Sequence, residues 1–557
     1  MRPQALLILA ALLSATAARA GGGPENVLVV VNDLCEESVA LGRFYVLKRD
    51  LPRHHIVHVR IPGAPPKDPK KPEPFSCPEA VPGGYEGYRT LLEEPVKRWL
   101  ADHPRSPITT LALTRGIPIV SMTRPAPDHP EAPRSTTHLL ALLGAPDDLR
   151  TAGDGQWGFK ANPYFRSDAS IDPRSPLPGA PPLYSVVLLD AMTLEDAKGM
   201  ITLSLASDAK RPDGTACLAR SSKDDPRGMY NGSYPDLAAA LKILGLKAET
   251  LDPLDTASPF APREGISLLQ FGQSHWDPAF PAKNRFQPGA LVDNLTSYAL
   301  AWGAFAPGRP VDQTPMTRFL SAGATVIHGC VREPTTGAWD SGYLHLRRYA
   351  EGYNAAESFT MAHPWLPWMN LVCGDPLTQP YALRPAVTLE EGPGTKPPYR
   401  LKVSAKASRE GAAIRSLTLY VDGVKAGEST GGKAGFELKD FDPAVNGWRV
   451  VAEDDSKFRT QGFLASPPLK GVSYKISVKL VEYVRGKAFF RVSASGPDPV
   501  FTFVSPDSKE KVGTRKGVFT LTFEDPSVPH AVEVWIMNGK DKDAGAILNA
   551  EVPGKRK

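Results

Sequence analysis

From Asn26 to about Arg384, short apolar runs rich in β-branched residues alternate with stretches whose apolar positions recur every three or four residues. The first pattern is that of a buried strand and the second that of an amphipathic helix. Val27 to Val31 predicts a strand, Glu37 to Asp50 a helix with Val39, Phe44 and Leu47 on one side, and Ile56 to Ile61 a second strand. A helix from about Arg89 to Ala101 and a strand from Thr109 to Leu113 complete a β-α-β-α-β rhythm. That rhythm implies an α/β fold in which a mostly parallel sheet is covered by helices on both faces. A Pro-rich interval from Pro118 to Pro182 interrupts it. It resumes with strand Tyr184 to Leu189, helix Leu194 to Ala206, strand Ala216 to Ala219, helix Tyr234 to Leu244, and strands Ile266 to Phe271 and Leu291 to Ala299. Helix Pro315 to Ser321 and strands Ala324 to Ile327 and Asn370 to Val372 close it.

Beyond Pro385 the period falls to two. Runs such as Arg400 to Ser404, Leu417 to Val421 and Trp448 to Ala452 alternate apolar with polar residues and are separated by turn residues, the pattern of an antiparallel sandwich. Asp422-Gly423 between two runs predicts a hairpin turn. Leu417, Leu419 and Val421 are expected to share an inner face, with Thr418 and Tyr420 opposite. Further runs, Tyr474 to Val481, Ala488 to Val492, Val500 to Val504, Val518 to Phe523, Ala531 to Ile536 and Ala546 to Val552, predict a second sandwich. The expected plan is a signal segment (1–20), an α/β core (21–385, with the Pro-rich insertion 118–182), an immunoglobulin-like β-sandwich (386–467) packed loosely on that core, and a second sandwich (468–557) with a basic tail.

Composition fits this plan: of 557 residues, 42% are hydrophobic and 22% charged, which excludes a disordered chain. The 56 prolines, about twice the usual share of roughly 5%, agree with many rigid loops. A net charge of +5 is small for this length and points to no nucleic-acid partner, and the basic end Lys555 to Lys557 reads as a solvated terminus. Arg2, the apolar run Ala5 to Leu13 and Ala18-Arg19-Ala20 have the layout of a cleavable signal peptide, so the chain is expected to be exported, periplasmic or extracellular, and cleaved near Ala20. No later stretch is long and apolar enough to cross a bilayer. Five cysteines, Cys35, Cys77, Cys217, Cys330 and Cys373, show no C-x-x-C spacing, which gives no support to a thiolate zinc site or a thioredoxin-type motif.

Two groups of short motifs carry a resemblance. The first is Asn32 with Ser38, Tyr45-x-x-Lys48-Arg49-x-Leu51-Pro52, Leu113-Thr114-Arg115-Gly116-Ile117-Pro118 and Leu142-Leu143-Gly144. The second is Phe271-Gly272, Gly323-Ala324-Thr325-Val326, Val331-x-Glu333-Pro334 and Gly374-Asp375-Pro376-Leu377. In this order, over about Asn26 to Pro385, they resemble an uncharacterised family of exported bacterial proteins found where exosortase sorting systems occur. More distantly, the Gly-Asp-Pro closing segment looks like that of gingipain-type cysteine peptidases, which implies a caspase-like core. Such enzymes place a His in a turn after one strand and a nucleophilic Cys after the next. By order these positions fall on Gly272-Gln273-Ser274 and on Thr296 to Ala301, so the resemblance implies a pseudo-peptidase: Gln273 stands for the base and Ser297 and Tyr298 for the nucleophile. An amide takes no proton near neutral pH, and a phenol of pKa about 10 is a poor nucleophile.

The competing reading is a secreted cysteine peptidase that pairs Cys330 with His275 or His328, since a thiolate beside an imidazole is a competent nucleophile. Against it, Cys330 comes one strand late for the caspase order. Parallel sheets bind ligands beyond the carboxyl ends of their strands, where Arg115, Gln273, His275, Trp276 and Glu333 are all expected; they form the candidate binding set, with Arg115 and Glu333 alternatively pairing to tie loops together. No metal or cofactor is expected: His55 and His58 alternate to opposite strand faces, and Asp277, Asp293 and Asp312 lack the spacing of a calcium loop. Trp339, Trp365 and Trp368 read as packing of a Pro-rich segment more than as a carbohydrate platform. The reading overall is an exported, non-catalytic binding or envelope protein whose partner is a protein or polysaccharide of the cell envelope.

Overall fold

The computed structural model of the chain describes residues 22–64, 75–125, 130–151, 160–168, 171–222, 225–254, 258–338, 342–394 and, with short omissions, 396–466, followed by the backbone of seven strands. The expected signal segment, Trp339 and the basic end lie outside the described residues. In chain order the core comprises β1 (Val27–Asn32), α1 (Glu36–Lys48), β2 (Ile56–Val59), α2 (Gly84–Tyr88), a π turn (Arg89–Glu93) that runs into α3 (Glu94–Asp102), β3 (Thr110–Thr114), β4 (Val120–Met122), β5 (Pro133–Ser135), α4 (Thr136–Ala141) and β6 (Lys160–Ala161). It continues with β7 (Ser185–Leu189), α5 (Leu194–Ser207), β8 (Thr215–Ala219), α6 (Tyr234–Ile243), β9 (Lys247–Leu251), β10 (Ile266–Phe271), β11 (Phe286–Asn294), α7 (Thr317–Ser321), β12 (Val326–Cys330), α8 (Gly342–Glu351), α9 (Ala355–Ala362), β13 (Trp365–Leu366) and β14 (Asn370–Gly374).

Ten of these strands form one sheet in the order β2-β1-β3-β7-β14-β12-β11-β10-β8-β9. Pairing is parallel through β2-β1-β3-β7 and through β12-β11-β10-β8-β9. β14 is antiparallel to β12 and pairs with β7 in parallel at one residue pair, Cys373 with Leu188. Every residue of β1, β3, β7, β10, β12 and β14 is buried, as a parallel sheet covered on both faces requires. Helices approach closely: a Cβ on Gly42 of α1 would come within 2.3 Å of Val31 Cγ1. The carbonyl of Cys77 accepts from Trp302 Nε1 at 2.8 Å and Arg309 at 3.5 Å, both beyond β11, while the Cys77 thiol feels Asp190 and Arg115, which follow β7 and β3. The Cys77 segment thus touches the loop beyond β11 and lies near groups that follow β7 and β3.

Some expected elements shift. β11 ends at Asn294, five residues before the expected Ala299, because the Asn294 side chain is captured by the neighbouring loop. β12 extends to Cys330 instead of stopping at Ile327, held there by β14. The Pro-rich interval holds the hairpin β4–β5 and the buried helix α4.

The first sandwich contains β15 (Ala386–Glu391), β16 (Tyr399–Lys406), β17 (Ile414–Val421), β18 (Val424–Thr430), β19 (Lys433–Leu438), β20 (Trp448–Asp454) and β21 (Gln461–Ala465). Its sheets are β15-β16-β19 and β18-β17-β20-β21, closed over Leu401, Val403, Leu417, Leu419, Trp448 and Val450. Asp422 (φ 47°) and Gly423 (φ 76°) form the turn between β17 and β18; two residues of positive φ give the twist a tight hairpin needs. The seven further strands are β22 (Lys475–Val484), β23 (Lys487–Ser495), β24 (Val500–Val504), β25 (Val512–Thr514), β26 (Gly517–Thr522), β27 (His530–Met537) and β28 (Ile547–Val552). They repeat the layout as β22-β23-β26 and β25-β24-β27-β28. The fold is thus an α/β core with a mostly parallel, helix-flanked sheet, followed by two immunoglobulin-like β-sandwiches.

Contact between core and first sandwich is tighter than the loose packing expected. Arg449 of β20 is buried between Glu25 (2.7 Å) and Asp50 (2.5 Å) of the core. Gly423 presses on Pro52, where a Cβ would come within 2.3 Å of Cγ.

Candidate functional site

The five residues expected to converge at the carboxyl edge fall into separate places. Arg115 follows β3 and Gln273 follows β10, five strand-to-strand steps apart, or about 24 Å at ~4.8 Å per step. Arg115 does not pair with Glu333: it bridges Glu37 (2.9 Å) and Asp190 (3.4 Å). Asp190, unremarked in the sequence, is buried there, and burial pushes its carboxyl up to about 7 against the pull of Arg115 and the Ala191 N–H. Burial likewise raises the Cys35 thiol, and Cys77 more strongly. Glu333 is exposed beyond β12 and accepts the Thr335 N–H at 3.2 Å.

The loops after β10 and β11 are tied together. Gln273 N–H donates to Asn294 Oδ1 (3.1 Å), Asn294 Nδ2 donates back to Gln273 O (3.0 Å), and the Gln273 amide donates to His275 O (2.8 Å). His275 is exposed, with Nε2 3.1 Å from the carbonyl of Asp312 and Nδ1 3.0 Å from Ser274 Oγ. A carbonyl only accepts, so Nε2 carries the proton and Nδ1 accepts from Ser274. Trp276 lines no site: it is buried against Phe271 and Phe319. In the second loop Gln313 Oε1 accepts from Thr296 Oγ1 and Tyr298 N–H, both at 2.8 Å, and Arg227 holds the Leu295 carbonyl at 2.8 Å.

Cys330 ends β12 fully buried, its carbonyl accepting from Leu300 N–H at 3.1 Å. Both nitrogens of His328 are engaged by other groups, Nδ1 with Asp293 Oδ1 at 2.9 Å and Nε2 with the Asn370 amide nitrogen at 3.1 Å. Neither His275 nor His328 is thus a ring left open to serve as base for this thiol. Trp365 and Trp368 meet edge to face with ring centres 5.8 Å apart, and Trp368 is fully buried, which is packing. The histidines beside β2 serve separate contacts: His58 pairs with Asp33 (2.6 Å), His55 bonds the Val27 carbonyl, and His54 stacks on His103.

A different constellation lies deeper. The parallel register sets Asp293 of β11 beside His328 of β12, and α8 lays His345 over both. One ligand atom from each lies within 4.8 Å of the others, and all three residues are buried. Burial acts to raise the Asp293 carboxyl, but the His328 and His345 rings outweigh it and hold the group below the usual carboxylate range. Burial lowers the His345 pKa. The Phe359 ring of α9 lies between His328 and His363, and His363 sits 4.4 Å from His138, whose pKa burial pushes down to about 3. The residues sit 35 and 17 positions apart along the chain, on two strands and a helix whose pattern gave no warning, and only the strand register could have joined them.

No family model and no curated protein matches the chain, so the resemblance to an exported bacterial family gains no support from either comparison. Among solved structures, one titled "Structure of Protease" aligns at 11% identity and a TM-score of 0.39, covering 80% of this chain and 98% of its own. Fibronectin(III)-like modules of Clostridium thermocellum CbhA align at 16% identity and a TM-score of 0.14, over 30% of this chain and 94% of theirs. The central fibronectin-III array of RIM-binding protein aligns at 16% identity and a TM-score of 0.12, over 30% and 68%. At these scores none of them carries a conclusion about chemistry, and the chain's architecture rests on its own strand order.

Proposed function

We propose that this is an exported multi-domain protein whose α/β core is caspase-like but non-catalytic, and which binds a protein or polysaccharide of the cell envelope through the loops at the carboxyl edge of its sheet. The observation that carries the reading is the loop pair after β10 and β11. Where a peptidase of the resembled type would set a base and a nucleophile, Gln273 and Asn294 bond each other reciprocally and Gln313 fastens the second loop. Gln273 and the exposed His275 beyond β10 and Glu333 beyond β12 lie at the same end of parallel strands with β11 between them and would meet the ligand, with the tandem sandwiches as spacers. No helix among the described residues is long and apolar enough to cross a membrane.

The test is enzymatic and chemical. Fluorogenic peptides with basic, acidic and apolar residues at the cleaved position are expected to give no turnover by the full chain, and Cys330 is expected to resist iodoacetamide until the protein is denatured. Thiol-dependent hydrolysis abolished by Cys330→Ala would replace this reading with the cysteine peptidase.

A further inference from the structure

We propose that Asp293, His328 and His345 hold one divalent cation of the zinc class, which fastens α8 to the parallel sheet. The site is additional to the binding role above and does not rest on it. Two imidazoles and a carboxylate form a donor set that suits zinc and its neighbours and gives too few oxygens for calcium or magnesium. Donors about 2.1 Å from a tetrahedral zinc stand roughly 3.4 Å from each other. Asp293 Oδ1 and His328 Nδ1 are 2.9 Å apart and Asp293 Oδ2 and His345 Nδ1 3.8 Å, so the pairs bracket that spacing. The widest separation allowed within the group, 4.8 Å, closes with a modest turn of one ring.

Second, the cluster contains polar atoms that protein donors and acceptors leave without partners. Asp293 Oδ2 and both ring nitrogens of His345 are buried and make no hydrogen bond. A buried carboxylate oxygen that meets the His345 ring only at 3.8 Å is poorly satisfied, and a cation at this point would satisfy it together with one His345 nitrogen.

Third, the surroundings of His328 fit a ligand. An imidazole that binds metal through Nδ1 must carry its proton on Nε2 and needs an acceptor there. The group beside Nε2 is the Asn370 amide, whose nitrogen faces the ring while its Oδ1 is buried and unpartnered. Turning that amide by half a rotation exchanges donor for acceptor. The same two residues thus serve both states. With exposures of 1%, 0% and 0%, Asp293, His328 and His345 lie out of a substrate's reach; they supply three of the four ligands of zinc, a trapped water completes the fourth, and the site holds α8 to the sheet and fills as the chain folds.

The experiment uses the full chain, unfolded in denaturant with a chelator and refolded with or without zinc chloride. Expected results are about one equivalent of zinc retained after desalting and a melting temperature higher by about 5 °C or more than that of the zinc-free sample. His345→Gln and Asp293→Asn should each lower retained zinc at least tenfold while the circular dichroism spectrum stays unchanged. Cobalt in place of zinc should give ligand-field bands without a sulfur-to-metal charge-transfer band. Less than a tenth of an equivalent retained by the wild-type chain would overturn the site and leave Asp293 and His345 as a buried, metal-free pair. Variants that retain as much zinc as the wild type would also overturn it. Should a variant fail to refold, the wild-type cobalt spectrum decides, and a thiolate band there would assign the metal to cysteine instead.

Discussion

Asp375 shows what the short motifs do. Its carboxylate accepts from Tyr45 OH at 2.8 Å and Arg49 Nε at 2.6 Å, so the Tyr45-x-x-Lys48-Arg49 and Gly374-Asp375-Pro376 segments, 326 positions apart, meet in one buried network. Gly374 has φ 152°, and a Cβ there would come within 2.5 Å of the Thr325 carbonyl. Asn32, Ser38 and Thr114 form a second such network: Asn32 N–H donates to Ser38 Oγ, which lies 2.6 Å from Thr114 Oγ1. Residues that stood out in the sequence as motifs are therefore staples of the fold. Asp190, which did not stand out, has the more testable chemistry. Its carboxyl is raised to about 7 by burial, so the folded chain keeps a proton that the unfolded chain loses near pH 4. Native stability from this group is thus lost as pH rises from about 4 to about 7 and stays level above. Urea unfolding at pH 5 and pH 7.5 should show Asp190→Asn removing a loss of about 1 to 3 kcal/mol that the wild type suffers across this interval.

Among elements, those with a buried two-sided pattern were legible and those with mixed faces were not. Val27 to Val31 is a continuous apolar run and Ile266 to Phe271 a mostly apolar one, and both are strands of the central sheet. β9 passed unseen because Lys247, Glu249 and Thr250 occupy an edge strand with one partner. α8 passed unseen because Arg347 and Arg348, the latter buried, interrupt its apolar positions, which hid His345. Convergence of Arg115 with Gln273 failed for another reason: strand ends are visible in a sequence, but the order that inserts β7, β14, β12 and β11 between β3 and β10 is not. The Asp422-Gly423 turn was legible, and its second duty, contact with the core, was not. Gly423→Ala places a side chain at positive φ and against Pro52, so it should lower the unfolding free energy of the full chain by about 1 to 3 kcal/mol. A urea titration that matches the wild type would show that the turn does not bear on the core.

For the whole molecule, buried histidines set the response to acid. Burial holds His55, His138, His345 and His363 below the usual imidazole value, with His138 at about 3. A base whose pKa is lower in the folded state contributes stability that is complete above about pH 6.5 and is lost as pH falls below it. Each such group gives a slope of up to about 1.4 kcal/mol per pH unit. Urea midpoints should therefore fall steeply between pH 6.5 and 5, and His138→Gln should make the fall shallower; a flat profile would mean that these rings are protonated when folded. The seam between core and first sandwich has a different kind of consequence, one of timing. Glu25, two residues ahead of β1, finds its cation in Arg449, 424 positions later. A ribosome makes Glu25 early and Arg449 late, so for most of synthesis the first strand of the sheet has a carboxylate at its entrance with no counter-charge. The amino-terminal edge of the core is consequently among the last parts of the molecule to settle, and a chain cut short before β20 would carry a finished sheet with an unfinished beginning.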